Sequence, residues 1–311
     1  VSRASSTLLA LAATGAAGLA WSVAEAHHYT LRRASAAVLP TGQPSLRVLH
    51  VSDLHLTPRH RGRVAWVRSL EALDPDLVVV TGDFLAHQLA VPTALEALEP
   101  LLARPGAFVL GSNDYFAPVP LRPWRYLAAP SEVDEKGPTL PWGDLVKGLR
   151  GAGWHDLSNA RGRLEVDGRS VDVRGVDDPH IGRDRYEDVA GAFDPDADLA
   201  LGITHAPYLR TLDAMVGDGA ALVLAGHTHG GQLRVPGYGS LVTNCDLDNA
   251  RSRGLSRHAR PWDGEGDPGL GGVDGRGAVL HVSAGLGTSP YAPVRFACPP
   301  EATLLTLTSV D

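Results

Sequence analysis

Five short apolar runs in this chain stop at the same kind of punctuation, a turn carrying Asp, His or Asn, and this repetition limits the fold more than any other feature. Leu46-Arg47-Val48-Leu49-His50-Val51 ends at Ser52-Asp53-Leu54-His55, and Leu77-Val78-Val79-Val80 ends at Thr81-Gly82-Asp83. Ala107-Phe108-Val109-Leu110 leads into Gly111-Ser112-Asn113-Asp114. Further on, Leu199 to Thr204 delivers His205, and Ala220 to Leu224 delivers Ala225-Gly226-His227-Thr228-His229. Short β-branched runs bounded by polar turns read as strands buried on both faces. Helical spacing over Val64–Leu73, Thr93–Ala103, Tyr186–Ala192 and Tyr208–Val216 separates them. Strands alternating with helices predict an α/β layout whose site lies along the carboxyl ends of the strands.

The remaining segments are organised differently. Ala4 to Ala24 is an uncharged stretch of 21 residues, against the roughly 20 that a spanning helix needs. Ala24-Glu25-Ala26 has the small-x-small form of an export-signal cleavage site. Residues 1–26 therefore read as a signal peptide or a membrane anchor, with orientation open because Arg3 is opposed by Arg32 and Arg33. Residues 27–45 read as a linker closed by Pro40, Gly42 and Pro44, and residues 46–311 as the folded domain. Within it, 117–150 interleaves prolines with Trp124, Tyr126 and Trp142 as an insertion beside the site. Arg163–Arg174 alternates as a hairpin turning at Asp167-Gly168. Asn249–Arg276 reads as a loop, whereas Val279–Val282 and Ala302–Leu307 return to strand. Cys245 and Cys298 lack metal-type spacing and suit one bridge or two buried thiols.

Gathered from the strand ends, Asp53, His55, Asp83, Asn113, His205, His227 and His229 are four imidazoles, two carboxylates and an amide. That mixture suits Mn, Fe, Zn or Ni better than Ca or Mg alone. Seven donors exceed one coordination shell and fit two metals about 3.5–4 Å apart that share a carboxylate. With 28 basic against 35 acidic side chains, the net charge of −7 argues against nucleic acid as the partner.

The blocks Asp53-Leu54-His55, Gly82-Asp83, His205 and Gly226-His227-Thr228-His229, in this order, resemble the calcineurin-like metallophosphoesterases. Gly226-His227-Thr228-His229-Gly230-Gly231-Gln232 and the closing Arg295-Phe296-Ala297-Cys298-Pro299-Pro300-Glu301 resemble a bacterial branch with an amino-terminal export or membrane segment. The resemblance implies a metallo-dependent phosphatase fold, a four-layer αββα sandwich of two mixed sheets flanked by helices. It also implies two divalent or trivalent ions and a metal-held hydroxide attacking a phosphate mono- or diester, with a phospholipid or cell-envelope compound as the substrate that an anchor would favour. Asp53, His55 and His229 would hold one ion, His205 and His227 the other, and Asp83 both. The third block departs from the family, which has Asn then His after Gly, whereas here Ser112 and Asn113 follow Gly111. Either Ser112 or Asn113 takes the ligand position, and the usual imidazole is missing. Asp83, Asn113 and Asp114 form the expected catalytic set, with Asp114 orienting its neighbours. The altered block leaves a metal-binding scaffold as an alternative, and a nuclease on the same fold as another. His180 with Asp177 and Asp178 reads as turn chemistry or as a contact near the site.

Overall fold

The computed structural model describes residues 3–119, 137–259, 277–288 and 291–310. Two six-stranded sheets form the body. The first runs β1 (Thr30–Leu39), β14 (Glu301–Ser309), β2 (Leu46–Val51), β3 (Leu77–Thr81), β4 (Gly106–Val109) and β5 (His155–Asp156). The second runs β12 (Gly254–Ala259), β13 (Gly277–Val282), β9 (Leu222–Ala225), β8 (Leu199–Ile203), β7 (Arg169–Gly175) and β6 (Ala160–Val166). A small hairpin, β10 (Arg234–Val235) with β11 (Gly239–Ser240), stands apart. Both sheets are mixed: β2, β3 and β4 pair in parallel, as do β7, β8 and β9, while β14 meets β2 and β12 meets β13 antiparallel.

Alternation along the strands builds the layers, because successive side chains leave opposite faces. Leu77 and Val79 of β3 point inward with Val48, Leu201, Leu222 and Leu305 to fill the space between the sheets. Val78 and Val80 point outward, where they meet α2 (Arg61–Ser69), α3 (Val91–Leu98) and α5 (Trp142–Gly151) through Val67, Leu98 and Leu149. On the far side, Val223 and Leu280 pack on Leu212 and Met215 of α6 (Leu209–Gly217). The result is the four-layer αββα sandwich of the metallo-dependent phosphatase fold. Each fully buried aliphatic side chain contributes about 1.5–3 kcal/mol here.

Three expectations are corrected. Residues 27–45 are not a linker, since Thr30–Leu39 is an edge strand in parallel register with β14, Thr30 opposite Glu301. Its alternation is masked because most of its exposed positions are Ala, Ser or Arg and only Ala36 and Leu39 reach the core. Tyr186–Ala192 makes a single 3₁₀ turn at Tyr186–Asp188, because the buried Arg174 guanidinium donates to the Val189, Gly191 and Ala192 carbonyls that a helix would use. Within 249–276, Gly254–Ala259 is strand β12, and 260–276 lies outside the described residues. Of the insertion at 117–150, 120–136 also lies outside them, while the remainder contributes α5. Both cysteines are free and buried.

Candidate metal centre

The carboxyl ends of β2, β3, β4, β8 and β9 meet at one edge of the sandwich. There the backbone is bent into a conformation that side chains avoid. Asp53, His55, Asp83, His227 and His229 all have positive φ, between 42° and 68°, at about 1–3 kcal/mol each. Such strain persists only where surrounding contacts dictate it. Asp53 and His55 donate their backbone N–H groups to Gly82 and Asp83 carbonyls. Glycine provides the clearance: a Cβ on Gly226 would fall on the Ser52 hydroxyl, and one on Gly285 would come within 2.6 Å of the Asp53 Cβ.

Two groups of donor atoms share Asp83. In the first, one ligand atom from each of Asp53, His55, Asp83 and His229 lies within 4.8 Å of every other. His55 Nε2 is 3.2 Å from His229 Nε2 and 3.3 Å from Asp83 Oδ2, and His229 Nε2 is 3.7 Å from Asp53 Oδ1. In the second, His205 Nε2 is 3.6 Å from Asp83 Oδ2 and 3.3 Å from His227 Nδ1.

The tautomers show what these nitrogens require. His205 Nδ1 lies 2.7 Å from the Thr81 carbonyl and His227 Nε2 lies 3.1 Å from the Asn244 carbonyl. Carbonyls only accept, so both nitrogens carry protons, which leaves a lone pair on His227 Nδ1 facing His205 Nε2. Positive charge must stand there, as a proton or a metal cation. Burial pulls the His205 pKa down, but Asp83, Asp178 and Asp53 overcome it and push it up to about 10. Burial holds His55 at about 4 and sets His227 and His229 well below the usual histidine value, so these three rings are neutral, as ligands must be. Burial also raises Asp53 to about 6, whereas His205, His55 and Asn113 outweigh burial at Asp83 and lower its pKa. The donor set thus fits metal cations.

The third block separates into distinct roles. Asn113 faces Asp83, donating its backbone N–H to Oδ1 at 2.8 Å and its side-chain amide to Oδ2 at 2.8 Å. Ser112 is half-buried with its hydroxyl 3.4 Å from the Asn113 amide. Asp114, expected in the catalytic set, touches backbone: Oδ2 accepts from the Asp83 and Gly111 amides, and Oδ1 from those of Phe84 and Leu85. It reaches Gly111 from the third position of α4 (Ser112–Tyr115), as the acidic residue of a capping box does.

Other residues near the site escaped the sequence reading. His281 Nδ1 lies 2.8 Å from His50 Nδ1, and His50 Nε2 lies 2.9 Å from Thr81 Oγ1. Thr81 donates to Ser52 at 2.7 Å, and Ser52 to Asp53 Oδ2 at 2.6 Å. Because the Thr81 hydrogen goes to Ser52, His50 must donate to Thr81 and accept from His281. Every donor in this buried chain therefore points toward the Asp53 carboxylate. The available signal was a histidine in the middle of each apolar strand, at His50 and His281. Ser52→Ala removes the last link and is expected to weaken metal retention about 10–100-fold, read by competition with a metal-sensitive dye; undiminished retention would leave the chain without a bearing on the site. Arg295, fully buried, donates to the Ala284, Gly285 and Gly287 carbonyls and so shapes the turn against Asp53. His180 and Asp178, which the sequence offered as turn chemistry or as a contact near the site, are both: the His180 ring lies 4.4 Å from that of His227, and the buried Asp178 caps the turn carrying His180. His258 is buried, with Nε2 2.7 Å from Asp213 Oδ1.

Comparison with known proteins agrees with this geometry. The model of the calcineurin-like phosphoesterase family matches residues 46–231. The metallophosphoesterase YkuE of Bacillus subtilis (strain 168) is 27% identical over 88% of this chain and 83% of its own length. The UDP-2,3-diacylglucosamine pyrophosphatase LpxG of Chlamydia trachomatis is 27% identical over 84% of this chain and 83% of its own. A transmembrane protein with a metallophosphoesterase domain from Bos taurus is 28% identical over 63% of this chain and 43% of its own. The chain belongs to the calcineurin-like phosphoesterase family and is a metal-dependent phosphoric ester hydrolase.

Proposed function

We propose that this protein uses a two-metal centre to hydrolyse a phosphate ester or anhydride carried on a lipid, and that α1 (Arg3–Glu25) is a retained membrane anchor. The observation that carries the first part is the position of Asp83, whose Oδ2 lies between His55 Nε2 at 3.3 Å and His205 Nε2 at 3.6 Å. Asp53, His55, Asp83 and His229 would hold one ion; Asp83, His205 and His227 the other, with Asn113 bonded to Asp83. Mixed nitrogen and oxygen donors suit Mn, Fe or Zn. When bound, the ions polarise the phosphoryl oxygens and supply a nucleophile from water at neutral pH.

The chain's own residues then point to the leaving group. Asn113 stands where the family's imidazole is expected, and an amide can orient a phosphoryl oxygen but cannot hand a proton to a departing alkoxide. A positioned acid is worth about 10²–10⁴-fold. The substrate this arrangement serves is one whose leaving group departs unprotonated, such as a phosphoanhydride, and LpxG is a pyrophosphatase by name. Membrane attachment is supported by the window Ser5–Glu25, 21 residues with mean hydropathy 1.6, in a helix whose exposed side chains include Leu11, Leu19 and Trp21.

Metal-loaded protein should hydrolyse 4-nitrophenyl and anhydride substrates much faster than simple alkyl phosphates. In Asn113→His the alkyl rate should rise toward the others. Equal rates on alkyl and activated substrates in the native chain would contradict the leaving-group argument, and inactivity with every metal would remove the hydrolytic reading.

A further inference from the structure

We infer that the β10–β11 hairpin and the 291–298 loop form a membrane-seating surface, which lies in the headgroup layer of the bilayer when α1 is inserted and holds the metal centre against it. The inference rests on α1 being a membrane helix but not on the proposed substrate.

The end of α1 is fastened to the folded body. Ser22 and Glu25 are buried, and the Ser22 carbonyl accepts from the Arg295 backbone N–H at 2.9 Å. Glu25 accepts from the Cys298 backbone N–H through one oxygen and from Trp21 Nε1 through the other. Cleavage after Ala26 would remove all of these contacts. The fastened loop continues into the hairpin: Phe296 donates to the Gln232 carbonyl at 3.0 Å, Arg234 donates to the Phe296 carbonyl at 2.9 Å, and Leu233 bridges to Phe296. From the helix exit to the hairpin there is thus an unbroken set of backbone bonds.

This fastened region is also where the surface is apolar. Leu233, Val235, Tyr238, Leu241, Tyr291 and Phe296 are all exposed, Tyr238 to 77%. Of thirteen exposed large hydrophobic side chains among the described residues, these six and four on α1 account for ten. Isolated exposed apolar residues need no explanation, whereas a contiguous patch does. The segments 232–241 and 291–300 contain no acidic residue, so nothing in them repels an anionic leaflet. Tyr is one of the side chains enriched at bilayer interfaces. Continuity with α1 selects the bilayer over another occupant, because a helix inserted up to Glu25 brings the loop bonded to Ser22 and Glu25 to the water–lipid boundary. The hairpin follows directly from the turn that carries His229, so a seated hairpin brings the metal centre to the headgroup plane.

The test uses the full chain reconstituted in phosphatidylethanolamine–phosphatidylglycerol vesicles. A spin label is placed at Tyr238→Cys or, for comparison, at the exposed Glu165→Cys on β6; the native cysteines are buried. Expected is stronger relaxation by oxygen than by a water-soluble nickel complex at position 238, and the reverse at 165. Water-like accessibility at 238 would overturn the inference, and so would shielding from both reagents, which marks a protein contact. None of these outcomes depends on catalysis. In a second arm, Tyr238→Asp with Leu241→Asp should lower severalfold the hydrolysis of a vesicle-borne phosphate ester while 4-nitrophenyl phosphate turnover in the same vesicles is unchanged. Equal loss on both substrates would show that the hairpin supports the site structurally and would count against seating.

Discussion

Alanine in place of Asp83 is expected to lower metal-dependent hydrolysis by at least about 10³-fold, roughly 4 kcal/mol of transition-state stabilisation, while leaving the fold intact. The effect is large because one carboxylate serves both donor groups. Without it His55 and His205 lose the oxygen at 3.3 and 3.6 Å, and Asn113 loses both atoms to which it donates. The fold should survive with reduced stability: His205, His55 and Asn113 favour the ionised form of Asp83 enough to lower its pKa, so losing these contacts outweighs the relief of repulsion with Asp53 and Asp114. Elemental analysis of the purified variant should show less metal per chain, and urea denaturation in the presence of a chelator should show a single transition at a somewhat lower midpoint than that of the native chain. Turnover and metal content close to native would remove Asp83 from the shared position.

How much of this was legible beforehand depended on whether the determining contacts were local. Asp53, His55, Asp83, His205, His227 and His229 stand where apolar strands end, and the strand ends of both sheets meet at one edge, so reading each turn in order was sufficient to assemble them. Asn113 was legible as a member but not in its orientation, because its two bonds run to Asp83 in another turn. The strand Thr30–Leu39 was hidden because its pairing partner, β14, lies at the other end of the chain. The same applies to Glu25 and Cys298, which meet over 273 residues, and to His50 and His281, which meet over 231. A histidine inside an apolar strand signals an unmet polar need but not its partner. Local patterning therefore revealed the cluster of donor side chains, while the contacts that hold it in place depended on long-range pairing.

Asp114→Ala should behave in the opposite way to Asp83→Ala: it should fail chiefly by losing stability. Its carboxylate accepts from four backbone amides, those of Asp83, Phe84, Leu85 and Gly111, at 2.8–3.2 Å. Leaving a buried donor unsatisfied costs about 1–3 kcal/mol, so four of them cost on the order of 4 kcal/mol or more, a large part of the roughly 5–15 kcal/mol that stabilises a domain. Burial and the Asp83 charge raise the Asp114 pKa to about 8, yet all four neighbouring groups are donors, so a proton on this carboxyl would have no acceptor. A cation held beside Asp83 would offset the repulsion and favour the ionised form that the amides require. Asp114→Asn keeps one accepting oxygen for Phe84 and Leu85 but turns an amide N–H₂ toward the N–H groups of Asp83 and Gly111, so it should fall between native and alanine. Urea denaturation with chelator present should place the three chains in the order native, Asn, Ala, with the alanine variant largely unfolded or recovered only as aggregate. If Asp114→Ala instead folds with native stability and loses activity alone, the residue acts on the reaction and not on the turn that presents Asp83.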